Sequence, residues 1–152
     1  MNILDLNKAI SIKQPWAYLI CANMKPIENR TWPLPEKHKG ERVFIHASGK
    51  PDEEPDMLFS DAQIESIGDN KIMDVVESYK MTSAIIGSCR FVVCVINHPS
   101  IWAEKSYLEA GTDKYLLGKP IYNWVVADPV LFDKPILDVK GKLSFGDCSE
   151  YL

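Results

Sequence analysis

The run from Ala84 to Asn97, the longest apolar stretch of the chain and rich in Ile, Val and Phe, constrains the fold more than any other feature. β-Branched and aromatic residues favour strands, and a typical strand has only about five or six residues. The run therefore predicts one long or bent strand, interrupted around Ser88 and Arg90. It falls well short of the roughly 20 apolar residues that a membrane-spanning helix needs. A second strand, Val43-Phe44-Ile45-His46-Ala47 within Glu41 to Ser48, has too little polar alternation for an exposed edge and is expected inside the sheet.

Shorter signals fill in the rest. Ala9 to Lys13 alternates apolar and polar, as a half-buried strand does. A helix over Gln14 to about Ala22 follows, with Pro15 suited to its first turn and Asn23 and Pro26 closing it. Ile27 to Trp32 reads as extended, ended by Pro33 and Pro35, and Lys37 to Gly40 as a polar loop. Residues 51–80 begin acidic, are punctuated by Pro51 and Pro55, and predict two helices parted near Gly68 and Asp69, inserted between strands. Ser100 to Ala110 predicts a short helix, Tyr122 to Phe132 a strand that Pro129 kinks or places at an edge, and Pro135 to Phe145 the last short strands. Strands at both ends with helices between them indicate a single α+β domain over residues 1–152, its sheet curled into a small, partly open β-barrel with flanking helices.

A chain of 152 residues buries enough surface to fold without disulfides. Cys21, Cys89, Cys94 and Cys148 show neither C-x-x-C spacing nor the density of a secreted scaffold, so free thiols are expected, with no metal site and no cofactor. Met1 to Leu6 lacks the basic and apolar regions of a secretory signal, which points to the cytoplasm and away from membranes. The net charge of −4 argues against coating nucleic acid by bulk electrostatics. Residues 1–50 nevertheless carry eight Lys or Arg against four acids, and residues 51–152 nine against seventeen. Any polyanion contact is thus expected in the first third, with the acidic segment Asp52 to Glu77 turned away; the alternative is two solvated faces.

Several residues of the first third form a candidate anion-binding cleft: the helix N-terminus near Pro15 with Lys13 just before it, and Lys25 and Arg30 at its other end, where a phosphate could bridge the two cations. Alternation puts Glu28, Arg30 and Trp32 on one strand face, and an aromatic ring beside an Arg is what a nucleobase or single-stranded RNA uses. Each residue also has a plain structural reading. Trp16 and Trp124 suit a core, Glu28 with Arg30 a structural ion pair, and His46 a hydrogen-bonded core histidine.

The stretch I-S-I-K-Q-P-W-A-Y-L-I-C-A-N-M-K-P-I-E-N-R-T-W, followed by G-E-R-V-F-I-H-A-S, resembles the start of an ASCH domain. It matches that family's pattern at Gln14, Pro15, Trp16, Ala17, Lys25, Glu28, Arg30, Trp32, Gly40, His46 and Ala47, and Asn23 stands where many members have Gly. The resemblance implies a PUA-like barrel that binds RNA or a nucleotide; together with Lys13 from the cleft reading, the candidate ligand-binding residues are Lys13, Gln14, Trp16, Lys25, Glu28, Arg30, Trp32 and His46. One small bacterial branch hydrolyses N4-acetylcytidine with a Lys, a Thr three residues later and a more distant Glu. Lys25 matches the Lys, but Glu28 holds the Thr position, so a catalytic site here would be Lys25 with Glu28 activating a water. The resemblance does not place a third residue, although Glu104 follows the long strand. A third reading is a protein-interaction module, marked by an exposed apolar patch around Met57, Leu58 and Phe59.

Overall fold

The computed structural model describes residues 6–54 and 58–152. The long apolar run becomes β4 (Ala84–Val95), paired antiparallel with β3 (Arg42–Ala47) on one side and β5 (Tyr122–Ile136) on the other. Ala84 to Cys89 are all buried, which is why polar alternation is missing from that half of the run. The strand bends as expected, its register against β5 shifting between Ile85 and Gly87, Ser88 and Arg90, and Phe91 and Val93. At the middle shift Ser88 faces Val130 and Arg90 faces Ala127, so Asp128 and Pro129 together oppose Cys89. Asp128 turns left-handed there (φ 50°), and the bulge removes the demand for an N–H from Pro129.

The remaining strands are β1 (Lys8–Ile12), β2 (Ile27–Arg30) and β6 (Phe145–Asp147), giving one sheet in the order β2-β5-β4-β3-β1-β6. Among the described residues only β1 and β3 pair in parallel, with α1 (Trp16–Cys21) and β2 in the connection between them. As the ends of that order, β2 and β6 share no ladder, yet Trp32, just past β2, meets Phe145 of β6 edge-on with ring centroids 6.3 Å apart. Both rings also pack on Trp124 of β5. The sheet is therefore curled into a partly open barrel in a small α+β fold, as the sequence predicted, and the open seam lies between β2 and the β1–β6 side.

The helix α1 is shorter than predicted. Pro15, which follows a cis peptide bond, is its N-cap rather than part of its first turn. Its end is as expected: Asn23 turns left-handed (φ 64°), and Met24 N and Lys25 N both donate to Leu19 O. In the 51–80 segment α2 (Asp61–Ile67) and α3 (Asp69–Ser78) part at Gly68, whose φ of 83° favours glycine. Ser60 and Gln63 form a capping box that starts α2. Ile67 and Val75 pack the pair onto Leu19, Ile27 and Trp102. Pro55 and Met57 lie outside the described residues.

Two expectations fail. Residues 100–110 form a turn and an isolated Leu108–Tyr115 bridge instead of a helix. The cause is that side chains take the backbone groups a helix would use: Asn97 bonds both N and O of Ser106, and Asn29 Oδ1 accepts from Glu104 N. Pro135 and Ile136 finish β5 rather than start new strands, and only Phe145–Asp147 forms a strand after them, since Val139 is drawn off to donate to Ser83 O. Among the described residues no helix is long and apolar enough to cross a membrane.

A Cβ on Gly87 would collide with Val130 O and lie 2.7 Å from Cys21 Sγ, both held in the barrel wall. Gly87→Ala is expected to lower stability by about 3 kcal/mol, read from urea unfolding. An unchanged midpoint would show that β4 and β5 do not approach this closely.

Candidate functional site

Arg30 spans the open seam. From β2 its Nε and Nη2 donate to Glu28 Oε2 at 3.0 and 2.9 Å, and Nη2 reaches across to the carbonyl of Ser11 on β1 at 2.7 Å. The alternation of β2 brings Glu28 and Arg30 to one face, as predicted. Glu28 Oε1 accepts from Asn29 N at 3.2 Å and lies 3.6 Å from Lys25 Nζ. Lys25 donates to Ile27 O at 2.6 Å, and its Nζ sits 5.2 Å from the centre of the Trp16 ring. Lys25 and Glu28 are only 4% and 5% exposed. Burial pulls the Lys25 ammonium below its ordinary value, against the opposing pull of Glu28 and then Glu104.

This group forms one wall of a cavity of about 580 Å³. Lys13, Ser48 and Trp16 line it from the β1 and β3 ends, and Asp52, Leu58 and Gln63 from the helical segment. Trp102 and Glu104 complete it from the connection between β4 and β5. Phe59 fastens the helical segment over the cavity, meeting Trp16 and Trp102 edge-on at 5.4 and 6.1 Å. Trp16 Nε1 donates to Asp52 Oδ2 at 2.9 Å, and Gln63 Nε2 to Ile101 O at 2.9 Å. For Asp52, burial raises the carboxyl, but the Trp16 and Glu53 N hydrogen bonds and the charge of Lys13 leave it below the usual range.

Five of the eight residues singled out as ligand-binding meet at this cavity: Lys13, Trp16, Lys25, Glu28 and Arg30. Three do not line it. Gln14 is buried beneath α1, its amide joining Tyr18 N and Met81 O. Trp32 lies beyond the end of β2, where strand alternation no longer governs it, and packs on Trp124 at 4.7 Å, although the Arg30 guanidinium remains 5.9 Å from its ring. His46 is buried between Ser11 Oγ (2.8 Å) and Val139 O (2.7 Å); the carbonyl can only accept, so Nε2 carries a proton.

The anion-binding picture changes in three respects. At six residues α1 is too short to present an N-terminal anion site, and Lys13 O, Gln14 Oε1 and Pro15 O already accept from Ala17 N, Tyr18 N and Leu19 N. The place of a phosphate between Lys25 and Arg30 is taken by Glu28. Among the described residues the acids of the acidic segment are turned away except at its start, where Asp52 lines the cavity; Lys13, Lys25 and Arg30 are matched there by Glu28, Asp52 and Glu104. The patch sought around Leu58 and Phe59 is likewise this wall, with Leu58 on the cavity and Phe59 between two indoles. Met57 lies outside the described residues. The sequence reading missed Asp52, Trp102 and the placing of Glu104, for which local periodicity holds no signal. Among the described residues no group of three or more His, Cys, Asp or Glu is gathered to hold a metal.

No family model matches the chain, and no curated protein does. Among solved structures it is similar to ASCH from Zymomonas mobilis, at 15% identity and a TM-score of 0.49, covering 92% of this chain and 85% of that one. It is also similar to a Ser→Ala variant of that protein (18% identity, TM-score 0.46, 86% and 73% covered). A Tyr→Phe variant gives 17% identity, a TM-score of 0.45, and 86% and 74% covered. These are structures of the family that Ile10 to Ser48 resembles, and the site described above rests on this chain's own residues.

Two measurements follow from the wall of the cavity. Arg30→Ala removes charged hydrogen bonds to both sides of the seam and is expected to cost about 2–3 kcal/mol in urea unfolding, whereas Lys13→Ala at the exposed rim should cost less than about 0.5 kcal/mol. Equal effects would mean that Arg30 does not hold the seam. Lys25 binds its proton less tightly folded than unfolded, so between its lowered pKa and the ordinary value near 10.4 the unfolded chain holds more protons, and stability gains with rising pH. The stability of the native chain minus that of Lys25→Met should therefore increase with pH through this window, and a flat difference would contradict the burial of the amine.

Proposed function

We propose that this protein binds a single nucleobase or nucleoside, free or as one unit of a short or modified RNA, in the cavity at the seam of its barrel. The observation that carries this reading is the cavity itself: about 580 Å³, walled by Trp16 and Trp102, with Lys25, Glu28 and Arg30 on one side. That volume lies in the range of small-molecule sites, roughly 300–1,000 Å³. Indoles offer faces to a planar base, and the polar wall offers hydrogen bonds to its edge. Three cations balanced by three carboxylates do not attract a long polyanion, so recognition centres on the base, with few phosphate contacts.

A second reading, hydrolysis of an amide on a modified nucleoside such as N4-acetylcytidine, is favoured by the buried Lys25 alone. Burial pulls its pKa below the ordinary value, and this reading requires the deprotonated amine, beside the carboxylates of Glu28 and Glu104, to take the proton from a water.

Calorimetry and mass spectrometry with nucleosides, acetylated nucleosides and short RNAs test both readings. Binding that weakens at least tenfold in Lys25→Met, and that changes little between low and moderate salt, is the expected result. A steep salt dependence or unaltered binding by Lys25→Met would overturn the nucleoside reading. Loss of the acetyl group, abolished in Lys25→Met, would establish the hydrolase.

A further inference from the structure

Two asparagines, Asn123 fully buried and Asn29 half-buried, are spent on placing one exposed carboxylate. Asn29 of β2 and Asn123 of β5 are register partners, and Asn123 is fully buried. Asn123 Nδ2 donates to Asn29 Oδ1 at 2.9 Å and to Glu104 O at 3.1 Å. Asn29 Oδ1 also accepts from Glu104 N at 3.0 Å, while its Nδ2 donates to Trp102 O at 3.0 Å. Both backbone groups of Glu104 are thus held by side chains of the barrel wall, together with the carbonyl of the neighbouring indole residue. Burying amides is costly unless every polar atom is satisfied, and among the described residues none of the buried side-chain N or O atoms lacks a partner.

The Glu104 side chain has no such partner. It lines the cavity, it makes no hydrogen bond or ion pair among the described residues, and its charge acts on Lys25. Glu28 is the opposite case, its two oxygens already taken by Arg30, Asn29 N and Lys25. The cavity therefore offers a ligand one free pair of carboxylate oxygens. Donors lie nearby: the Lys25 ammonium has three N–H groups, of which Ile27 O and Glu28 engage two, and Arg30 Nη1 makes no hydrogen bond among the described residues.

Resting on the nucleoside reading above, we propose that Glu104 sets base specificity and selects guanine. Guanine presents two adjacent donors, N1–H and the 2-amino group, to the two oxygens of one carboxylate, with O6 beside them for a Lys or Arg N–H. Cytosine has a single donor group on the same edge, uracil a single N–H between two carbonyls, and adenine no carbonyl for the cations. The indoles of Trp16 and Trp102 supply apolar walls beside which the base lies.

The test is calorimetric titration of the full chain with guanosine, inosine, adenosine, cytidine and uridine, repeated on Glu104→Gln. This substitution keeps the size of the side chain and leaves the backbone clamp untouched, so its melting temperature should match that of the native chain. The native protein is expected to bind guanosine at least about tenfold more tightly than adenosine, cytidine or uridine, with inosine, which lacks the 2-amino group, between them. Glu104→Gln should lose about tenfold or more for guanosine and change little for the others. A native preference for cytidine, no preference among the bases, or guanosine affinity unmoved by Glu104→Gln would overturn the assignment while leaving nucleoside binding in place. No binding of any nucleoside would overturn the nucleoside reading as well.

Discussion

The seam of the barrel depends on one guanidinium. A six-stranded curled sheet whose end strands share no ladder has an open side, and here Arg30 ties β2 to β1 by donating to Glu28 on its own strand and to the Ser11 carbonyl opposite. A planar fork that donates in two directions suits this role, where an ammonium would act as a point charge. The clasp holds the seam at a width that leaves room for a cavity rather than a packed interface. Trp32, Trp124 and Phe145 close the apolar side of the same gap. Closure by aromatic packing on one side and by a charge pair on the other makes the seam the natural position for a site.

Charge within the site follows from that clasp. Having bound Arg30, Glu28 also carries the buried Lys25, so its single negative charge serves two cations and its own burial is compensated. Asp52 and Glu104 complete an overall balance. A cavity balanced in this way discriminates through the direction of its donors and acceptors, not through its net field. The helical segment adds to this by bringing Asp52 and Leu58 to the wall, with Phe59 packed on Trp16, so that apolar and polar groups line one cavity.

Much of this was legible in the sequence. The long run Ala84 to Asn97, the interior strand around Phe44, the helix pair broken at Gly68 and the left-handed stop at Asn23 are all written in local periodicity and turn chemistry, and all appear where expected. The meeting of Glu28 and Arg30 was legible for the same reason, since alternation on a short strand requires it. Trp32 was misplaced because alternation was carried two residues past the end of the strand. The helix expected at 100–110 was lost because asparagines from elsewhere in the chain compete for its backbone.

By itself, then, the sequence determined most of the elements, the α+β class and the cluster of Lys25, Glu28 and Arg30, because each depends on contacts within a few residues. Only the tertiary structure decided that Glu28 takes the place of a bound anion, that the acidic segment reaches the cavity through Asp52, and that Glu104 lines it. Those outcomes depend on partners far apart in the chain, such as Trp16 with Asp52 and Asn29 with Glu104, and they form only when the barrel curls and brings β1, β2 and β5 around one seam.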